Sequence, residues 1–235
     1  MRVMAILMKK EIEHIFFDLD HTLWDFDKNS RLAFQRMFQY HGITVNLEDF
    51  LTIYEPINFQ YWKLYREEKV TKQQLRRGRF AEAFRPFGIH YNETDLDDLA
   101  NSYIVELPKD NHLFKGVMEI LEYLSPNYYL HIITNGFQEV QHLKLQNSGI
   151  SAYFNTVTTS EEVGLKKPHP VIFKKALEKA KAAPAKSLMV GDTFEADILG
   201  AEAVGMHTLF FNYRKDKIPE HYVKIDDISE IKKHL

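Results

Sequence analysis

Residues 14–22 read HIFFDLDHT, an apolar run followed at once by two carboxylates and a hydroxyl. The run predicts a buried strand, and reactive side chains collect at the C-terminal ends of strands in open α/β sheets. Asp18 at such an end can be a covalent nucleophile, while Asp20 on the same turn can act as acid and then as base. Two carboxylates this close repel each other, so we expect a cation nearby. Taken alone, the stretch also fits aspartates that only cap a following helix.

The composition limits the class of protein. The chain has 235 residues, of which 45% are hydrophobic and 13% aromatic, and this is enough for a sizeable core. A formal net charge of −3 gives no sign of the excess positive charge that binding to a nucleic acid polymer requires. The absence of cysteine excludes disulfides and thiolate metal sites and fits a reducing cytoplasm. We expect neither a membrane span nor a signal peptide, and Met1 and Met8 are both candidate starts.

Two patterns of hydrophobic residues divide the chain. Residues 28–111 carry apolar side chains at three- and four-residue spacing, and helix starts at Asn46, Thr71 and Asn92, with stops at Gly42 and Gly88, predict about four helices. After them, short apolar runs alternate with helical segments, which predicts a parallel sheet. The runs are 128–133, 156–157, 188–190 and 207–211. The predicted fold is α/β: a Rossmann-like three-layer α/β/α core with a parallel sheet at residues 1–27 and 112–235, and an inserted α-helical cap at 28–111.

A second polar cluster follows the strand predicted near residue 130. Thr134, Asn135 and Gly136 stand between that strand and a helix. A hydroxyl and free backbone N–H groups at such a turn can cradle a phosphate, and glycine permits close approach. A plain Asn-Gly turn is the structural alternative. A helix that carries Val140, Leu143 and Leu145 follows.

A lysine pair precedes the next predicted helix, in the segment KKPHP at residues 166–170. Pro170 suits the first turn of a helix, so the segment fixes a lysine at its mouth. An ammonium held there can neutralise an aspartate and a transferring phosphoryl group. Most lysine pairs are merely solvated, but the framing prolines favour an inward position for Lys167 rather than Lys166.

The last polar segment, GDTFEAD at residues 191–197, follows another apolar run. Carboxylate oxygens without a cluster of histidine or cysteine favour Mg²⁺, which takes one or two carboxylates and keeps several waters. Asp192, directly at the strand end, is the predicted ligand. Asp197 is predicted to orient Lys167 or Asp192 without binding the metal itself. A helix-capping aspartate followed by an exposed one is the alternative for this segment taken singly.

Taken in order, these segments resemble the four motifs of the haloacid dehalogenase superfamily of phosphohydrolases. The matching positions are residues 18–22, Thr134, Lys167 and residues 191–197. The resemblance covers nearly the whole chain, because the helical insert lies where this family carries an α-helical cap of the first type.

The resemblance implies a role for each matching residue. Asp18 would attack phosphorus to give an aspartyl-phosphate, and Asp20 would protonate the leaving alcohol and then deprotonate water. Thr134, with Asn135 and Gly136 beside it, and Lys167 would bind the phosphoryl group. Mg²⁺ would be held by Asp18, by the backbone carbonyl of Asp20 and by Asp192.

The substrate is less well defined by the sequence. Residues 23–27 and 69–80 are similar to pyrimidine 5′-nucleotidase members of the family. Side chains that can contact a nucleotide there are Arg76, Arg77, Arg79, Trp24, Phe26 and Tyr61. Solvated arginines and core aromatics are the commoner outcomes for such residues.

The sequence therefore predicts a cytoplasmic, Mg²⁺-dependent phosphomonoester hydrolase, monomeric or homodimeric, that acts on a nucleoside 5′-monophosphate or a similar small phosphorylated metabolite. A general sugar-phosphate or phosphoglycolate-type phosphatase and a phosphomutase of the same fold are alternatives. A 2-haloacid dehalogenase needs neither Asp20 nor a metal, so the acids present argue against it. A non-catalytic binding module is disfavoured because every reactive position is filled.

Overall fold

The computed structural model describes residues 11–235, so the choice between Met1 and Met8 as the start lies outside the described residues. Its centre is a six-stranded parallel sheet with helices on both sides and the strand order β3-β2-β1-β4-β5-β6. The predicted α/β class is confirmed. The strands are β1 His14–Phe17, β2 Tyr129–Thr134, β3 Phe154–Thr159, β4 Ser187–Gly191, β5 His207–Phe211 and β6 Lys224–Ile225.

β1 is the central strand, hydrogen-bonded to β2 on one side and to β4 on the other. Its last residue, Phe17, lies opposite Ile132 of β2 and Val190 of β4. The backbone N–H of Asp18 continues the pairing by donating to the carbonyl of Val190 at 2.9 Å. Because all three strands run in parallel, the residues that follow them lie at one edge of the sheet.

Besides short 3₁₀ helices, the described residues form α-helices and one π-helix. They are α1 Phe26–Tyr40, α2 Leu47–Arg66, α3 Lys72–Phe84, α4 Glu93–Glu106, α5 Val117–Leu124, α6 Gln138–Asn147, α7 Ser160–Val163, α8 Pro170–Ala180, a π-helix at Phe194–Leu199 and α9 Gly200–Glu202. Contacts group the described residues into two compact units. The sheet unit contains the described residues up to Phe26 together with Asn111–Leu235, and the helical unit is Asp27–Asp110.

In the helical unit, the three predicted helix starts are confirmed. Asn46, Thr71 and Asn92 are the N-caps of α2, α3 and α4, and each side chain accepts hydrogen bonds from backbone N–H groups of the first turn. The unit has an aromatic core around Phe34, whose ring centroid lies 4.6 Å from that of Tyr103. No helix among residues 11–235 is long and apolar enough to cross a membrane.

In the sheet unit, α8 packs on the sheet through a fully buried cluster that includes Phe16, Phe173 and Met189. A Cβ at Gly200 would lie 2.7 Å from the ring of Phe173, so this close approach requires glycine. β3 is four residues longer than the predicted pair, because Phe154 and Asn155 precede the pair and two threonines follow it. β6 was not predicted, since two residues carry no periodicity.

Candidate active site

Four chain segments bring polar side chains to the C-terminal edge of the sheet. Asp18 follows β1, Thr134 ends β2 and Asp192 follows β4. Lys167 comes from the loop between α7 and α8. All four side chains are buried. Buried polar groups persist when they are paired, so the contacts among these residues define what the site can do.

Lys167, rather than Lys166, is the inward lysine. Its Nζ lies 2.6 Å from Oδ1 of Asp18 and 2.7 Å from Oδ1 of Asp197, and it donates to the carbonyl of Ile133 at 2.7 Å. Burial lowers the pKa of Lys167, but the two carboxylates more than offset it and raise the pKa above its ordinary value. The ammonium is therefore a fixed positive charge between two acids.

The side chain of Asn135 holds the backbone of Lys167. Its Oδ1 accepts from the N–H of Lys167 at 2.8 Å, and its Nδ2 donates to the carbonyl of Lys167 at 2.9 Å. Such a two-point contact fixes the loop that presents the ammonium. The amide of Asn135 is thus engaged with the protein, and only its backbone remains for the predicted contact with substrate.

Three carboxylates gather around the ammonium. Oxygen atoms of Asp18, Asp192 and Asp197 all lie within 4.8 Å of one another. Asp197 accepts from the N–H of Thr193 at 2.9 Å, and a Cβ at Gly191 would lie 2.3 Å from its Oδ2. Glycine at position 191 is therefore what lets Asp197 approach the end of β4.

Burial and mutual repulsion disfavour the charged forms of the clustered acids. Burial raises the pKa of Asp18 well above its usual range, and Asp197 and Asp192 add to the effect while Lys167 opposes it. Burial and Asp197 raise the pKa of Asp192 to about 7, against the opposing effect of Arg214. Buried carboxylates with raised pKa values are typical of a site that binds a cation or reacts.

These observations fit Mg²⁺. The donor set consists of oxygen atoms, which a hard divalent cation prefers, and the acids are close enough to share one ion. A bound cation would favour the ionised forms that burial disfavours. Asp197 lies in this cluster as well and contacts both Lys167 and the backbone N–H of Thr193, while its orienting role stays a prediction.

Asp20 is oriented differently from Asp18. Its Oδ1 accepts from Nζ of Lys144 at 2.5 Å and its Oδ2 accepts from Nε2 of Gln141 at 3.0 Å. The carboxylate of Asp20 is about one-fifth exposed, whereas Asp18 is buried. The two aspartates of the motif therefore have distinct surroundings, as two distinct chemical roles require.

Thr134 is poised to donate. Its Oγ1 accepts from Nε2 of Gln141 at 2.6 Å and from the N–H of Gly136 at 3.0 Å. A hydroxyl has two acceptor positions and one proton, so these contacts leave the proton for an added oxygen. The arrangement fits the predicted phosphate contact.

Sequence reasoning missed Gln141 and Lys144. On α6, Leu143 is 44% exposed, while Gln141 and Lys144 face inward. The three-residue spacing of these polar residues between Val140 and Leu145 was the available signal. Burial lowers the pKa of Lys144, and the nearby carboxylate of Asp20 partly offsets this.

Arg214 was also missed, since it lies beyond the last motif. Its Nη1 donates to Oδ2 of Asp192 at 2.7 Å, and its Nη2 lies 2.8 Å from Nδ1 of His21. The hydroxyl of Tyr213 also lies 2.8 Å from that nitrogen. Burial, then Arg214 and Lys144, lower the pKa of His21 well below its usual value, which favours the neutral imidazole.

The side chains that were predicted as possible nucleotide contacts instead contact neighbours within their own unit. Arg77 pairs with Asp97 and Glu93, and Arg76 donates to Asn101 at 2.7 Å. Arg79 is buried among aromatic rings and donates to Asn58 at 2.9 Å. The remaining three aromatic candidates are also in contact with neighbours: Tyr61 with Glu82, Trp24 with Asn111 and Lys144, and Phe26 with His21 and Trp24.

Comparisons with known proteins find relatives that match most of the chain. The chain is 38% identical to the pyrimidine 5′-nucleotidase YjjG of Escherichia coli (strain K12), over 88% of each chain. It is 33% identical to the pyrimidine 5′-nucleotidase PynA of Streptococcus pneumoniae, over 84% of this chain and 83% of the relative. The crystal structure of the HAD-hydrolase YfnB from Bacillus subtilis, described as bound to magnesium, superposes with a TM-score of 0.86 at 26% identity, covering 94% of this chain and 97% of YfnB.

The family model for haloacid dehalogenase-like hydrolases matches residues 15–211. The match begins in β1, ends at the last residue of β5 and includes all four polar segments at the edge of the sheet. The chain belongs to the haloacid dehalogenase-like hydrolase family.

Proposed function

We propose that this hydrolase is a Mg²⁺-dependent phosphomonoesterase that acts through an aspartyl-phosphate on Asp18. The observation that carries the proposal is the ammonium of Lys167, fixed 2.6 Å from Asp18 inside a cluster of three acids. An anionic nucleophile and a phosphate repel each other, and a buried cation at this position reduces that repulsion in the transition state.

The proposed reaction has two halves. In the first, a carboxylate oxygen of Asp18 attacks phosphorus, the bond from phosphorus to the ester oxygen breaks, and Asp20 gives a proton to the departing alcohol. In the second, Asp20 takes a proton from water, the water oxygen attacks phosphorus, and the bond to Asp18 breaks to release inorganic phosphate. Thr134 and Lys167 hold phosphoryl oxygens throughout.

Asp18, Asp192 and the backbone carbonyl of Asp20 would hold the metal, with Asp197 orienting Lys167. When bound, Mg²⁺ would supply positive charge that offsets the approach of two anions. The magnesium described for YfnB supports this assignment. A cytoplasmic location, a monomeric or homodimeric state and the cap role of residues 28–111 belong to the same proposal.

Mg²⁺ is expected to stabilise the protein more at about pH 8 than at about pH 6. With the pKa of Asp192 raised to about 7, the metal-free folded protein binds a proton that the unfolded chain has lost, so its stability falls as the pH rises through this window. A cation that binds the ionised carboxylates reverses this loss. Thermal unfolding with and without Mg²⁺, at matched ionic strength, measures the effect.

Asp192→Asn is the control for this prediction and should remove most of the Mg²⁺-dependent rise in Tm. An equal rise in Tm at both pH values, or an undiminished rise in Asp192→Asn, would contradict the assignment of the metal to these acids.

The proposed substrates are pyrimidine nucleoside 5′-monophosphates. The two nucleotidase relatives support this class, as does the similarity of residues 23–27 and 69–80 noted above. A panel of dUMP, dTMP, purine nucleotides, sugar phosphates and phosphoglycolate, assayed for phosphate release with Mg²⁺, tests it. We expect kcat/KM at least about tenfold higher for the pyrimidine nucleotides, which corresponds to about 1.4 kcal/mol of selectivity.

The same panel separates the alternatives. Preference for sugar phosphates would favour a sugar-phosphate phosphatase, and an isomeric sugar phosphate without free phosphate would indicate a phosphomutase. Halide release from a 2-haloacid in the presence of EDTA would indicate a dehalogenase. No turnover of any of these compounds would leave a non-catalytic module.

A further inference from the structure

Both oxygens of Asp20 are held by side chains of one helix. Oδ1 pairs with the ammonium of Lys144 and Oδ2 accepts from the amide of Gln141. Gln141 and Lys144 lie three residues apart on α6, so they share one face of the helix. Two donors on one rigid element fix the carboxylate in a single rotamer.

Lys144 is itself buried and packed against aromatic rings. Only 2% of it is exposed, and its Nζ lies 4.2 Å from the ring centroid of Trp24 and 5.2 Å from that of Phe26. An ammonium packed over two aromatic rings is stabilised in place by their negative faces. Burying a lysine is costly, so a buried one that contacts a reactive carboxylate indicates more than a surface ion pair.

Gln141 connects the acid to the phosphate contact. Its Nε2 lies 3.0 Å from Asp20 and 2.6 Å from the hydroxyl of Thr134. A Cβ at Gly136 would lie 2.2 Å from this nitrogen, so the turn after β2 requires glycine to admit the amide. The amide thus ties the position of Asp20 to that of Thr134.

We propose that Lys144, assisted by Gln141, is a positioning residue for the acid and base Asp20. The inference rests on the proposed function, because it explains how Asp20 is held in place for the proton transfers proposed there. An acid must lie within hydrogen-bond reach of the leaving oxygen, and a displacement of about 1 Å costs about 10²-fold in rate. Asp20 is partly exposed, so without Lys144 its carboxylate would sample several rotamers.

The test is a double-mutant cycle with Lys144→Met and Asp20→Asn. Methionine has a similar length and no charge, and we expect Lys144→Met to lower kcat for an alkyl phosphomonoester about 10²-fold while KM changes less than about twofold. In the Asp20→Asn background, the same substitution should have almost no further effect, because a positioning residue acts only through its partner.

The leaving group gives a second readout. An aryl phosphate such as p-nitrophenyl phosphate departs as a stabilised anion and needs little help from an acid. The first-turnover release of p-nitrophenol should therefore fall much less in Lys144→Met than the release of an alkyl alcohol. Lys144→Arg should retain most of the wild-type kcat because it restores the ion pair, and Lys175→Met, which removes an exposed ion pair on α8, should match wild type.

The outcomes distinguish a failure of the positioning role from a failure of the proposed function. Additive losses in the cycle, or equal losses for alkyl and aryl esters in the first turnover, would overturn the positioning role while leaving the phosphatase intact. A wild-type protein that hydrolyses no phosphomonoester would instead overturn the proposed function. Should Lys144→Met fail to fold, Lys144→Gln carries the same cycle, since its shorter side chain keeps a polar group but cannot reach Asp20.

Discussion

Asp18→Asn is expected to slow phosphate release by a factor on the order of 10⁴ or more, as is typical when a covalent nucleophile is removed. Asparagine keeps the shape of the side chain and an oxygen that can accept from Lys167, so the fold should be retained. The metal-free variant should be at least as stable as wild type, because one of three clustered carboxylates loses its charge. Phosphate release and thermal unfolding measure the two effects.

Asp98→Asn, a change at an exposed position of α4, is the matched control and should leave both quantities unchanged. Acid quench of the wild-type reaction should trap phosphate on the peptide that contains Asp18. Turnover of Asp18→Asn within about tenfold of wild type would rule out the covalent route.

Lys167→Met is expected to reduce kcat about 10³-fold and to destabilise the metal-free protein by about 3–5 kcal/mol at about pH 8. The rate falls because the ammonium that screens Asp18 from the phosphate is lost. The stability falls because Asp18 and Asp197 are left as buried, uncompensated charges. Steady-state kinetics and denaturant unfolding in EDTA measure the two losses.

The double variant Lys167→Met and Asp18→Asn separates these causes. It should recover part of the stability, since one uncompensated charge is gone, and none of the activity. Lys166→Met, at the adjacent half-buried lysine, should behave like wild type in both assays. Comparable losses for the two lysines would contradict the assignment of Lys167.

The sheet, and the grouping of polar residues at one edge of it, could be predicted because both follow from patterns within short stretches of sequence. The apolar run at residues 207–211 has the bounds of β5, and strand ends that meet at one edge bring Asp18, Thr134 and Asp192 together. The N-caps of the helical unit follow from single side chains with known preferences.

The surroundings of Asp20 could not be predicted in the same way. Lys144 and Gln141 on α6 face inward and donate to Asp20, which lies more than a hundred residues earlier in the chain. A helical pattern read by itself places polar residues such as Lys144 outward and apolar residues such as Leu143 inward. Arg214 depends on a similar long-range partner, Asp192.

The central place of β1 in the sheet bears on how the protein matures during synthesis. β1 leaves the ribosome early, but its two neighbours, β2 and β4, come after the helical unit along the chain, and Lys167 follows Asp18 by 149 residues. Contacts this distant in sequence form late and slowly. A nascent chain therefore cannot bring Lys167 and Asp192 to Asp18 until β4 and the residue after it have been translated, so hydrolysis would report the assembly of β1, β2 and β4.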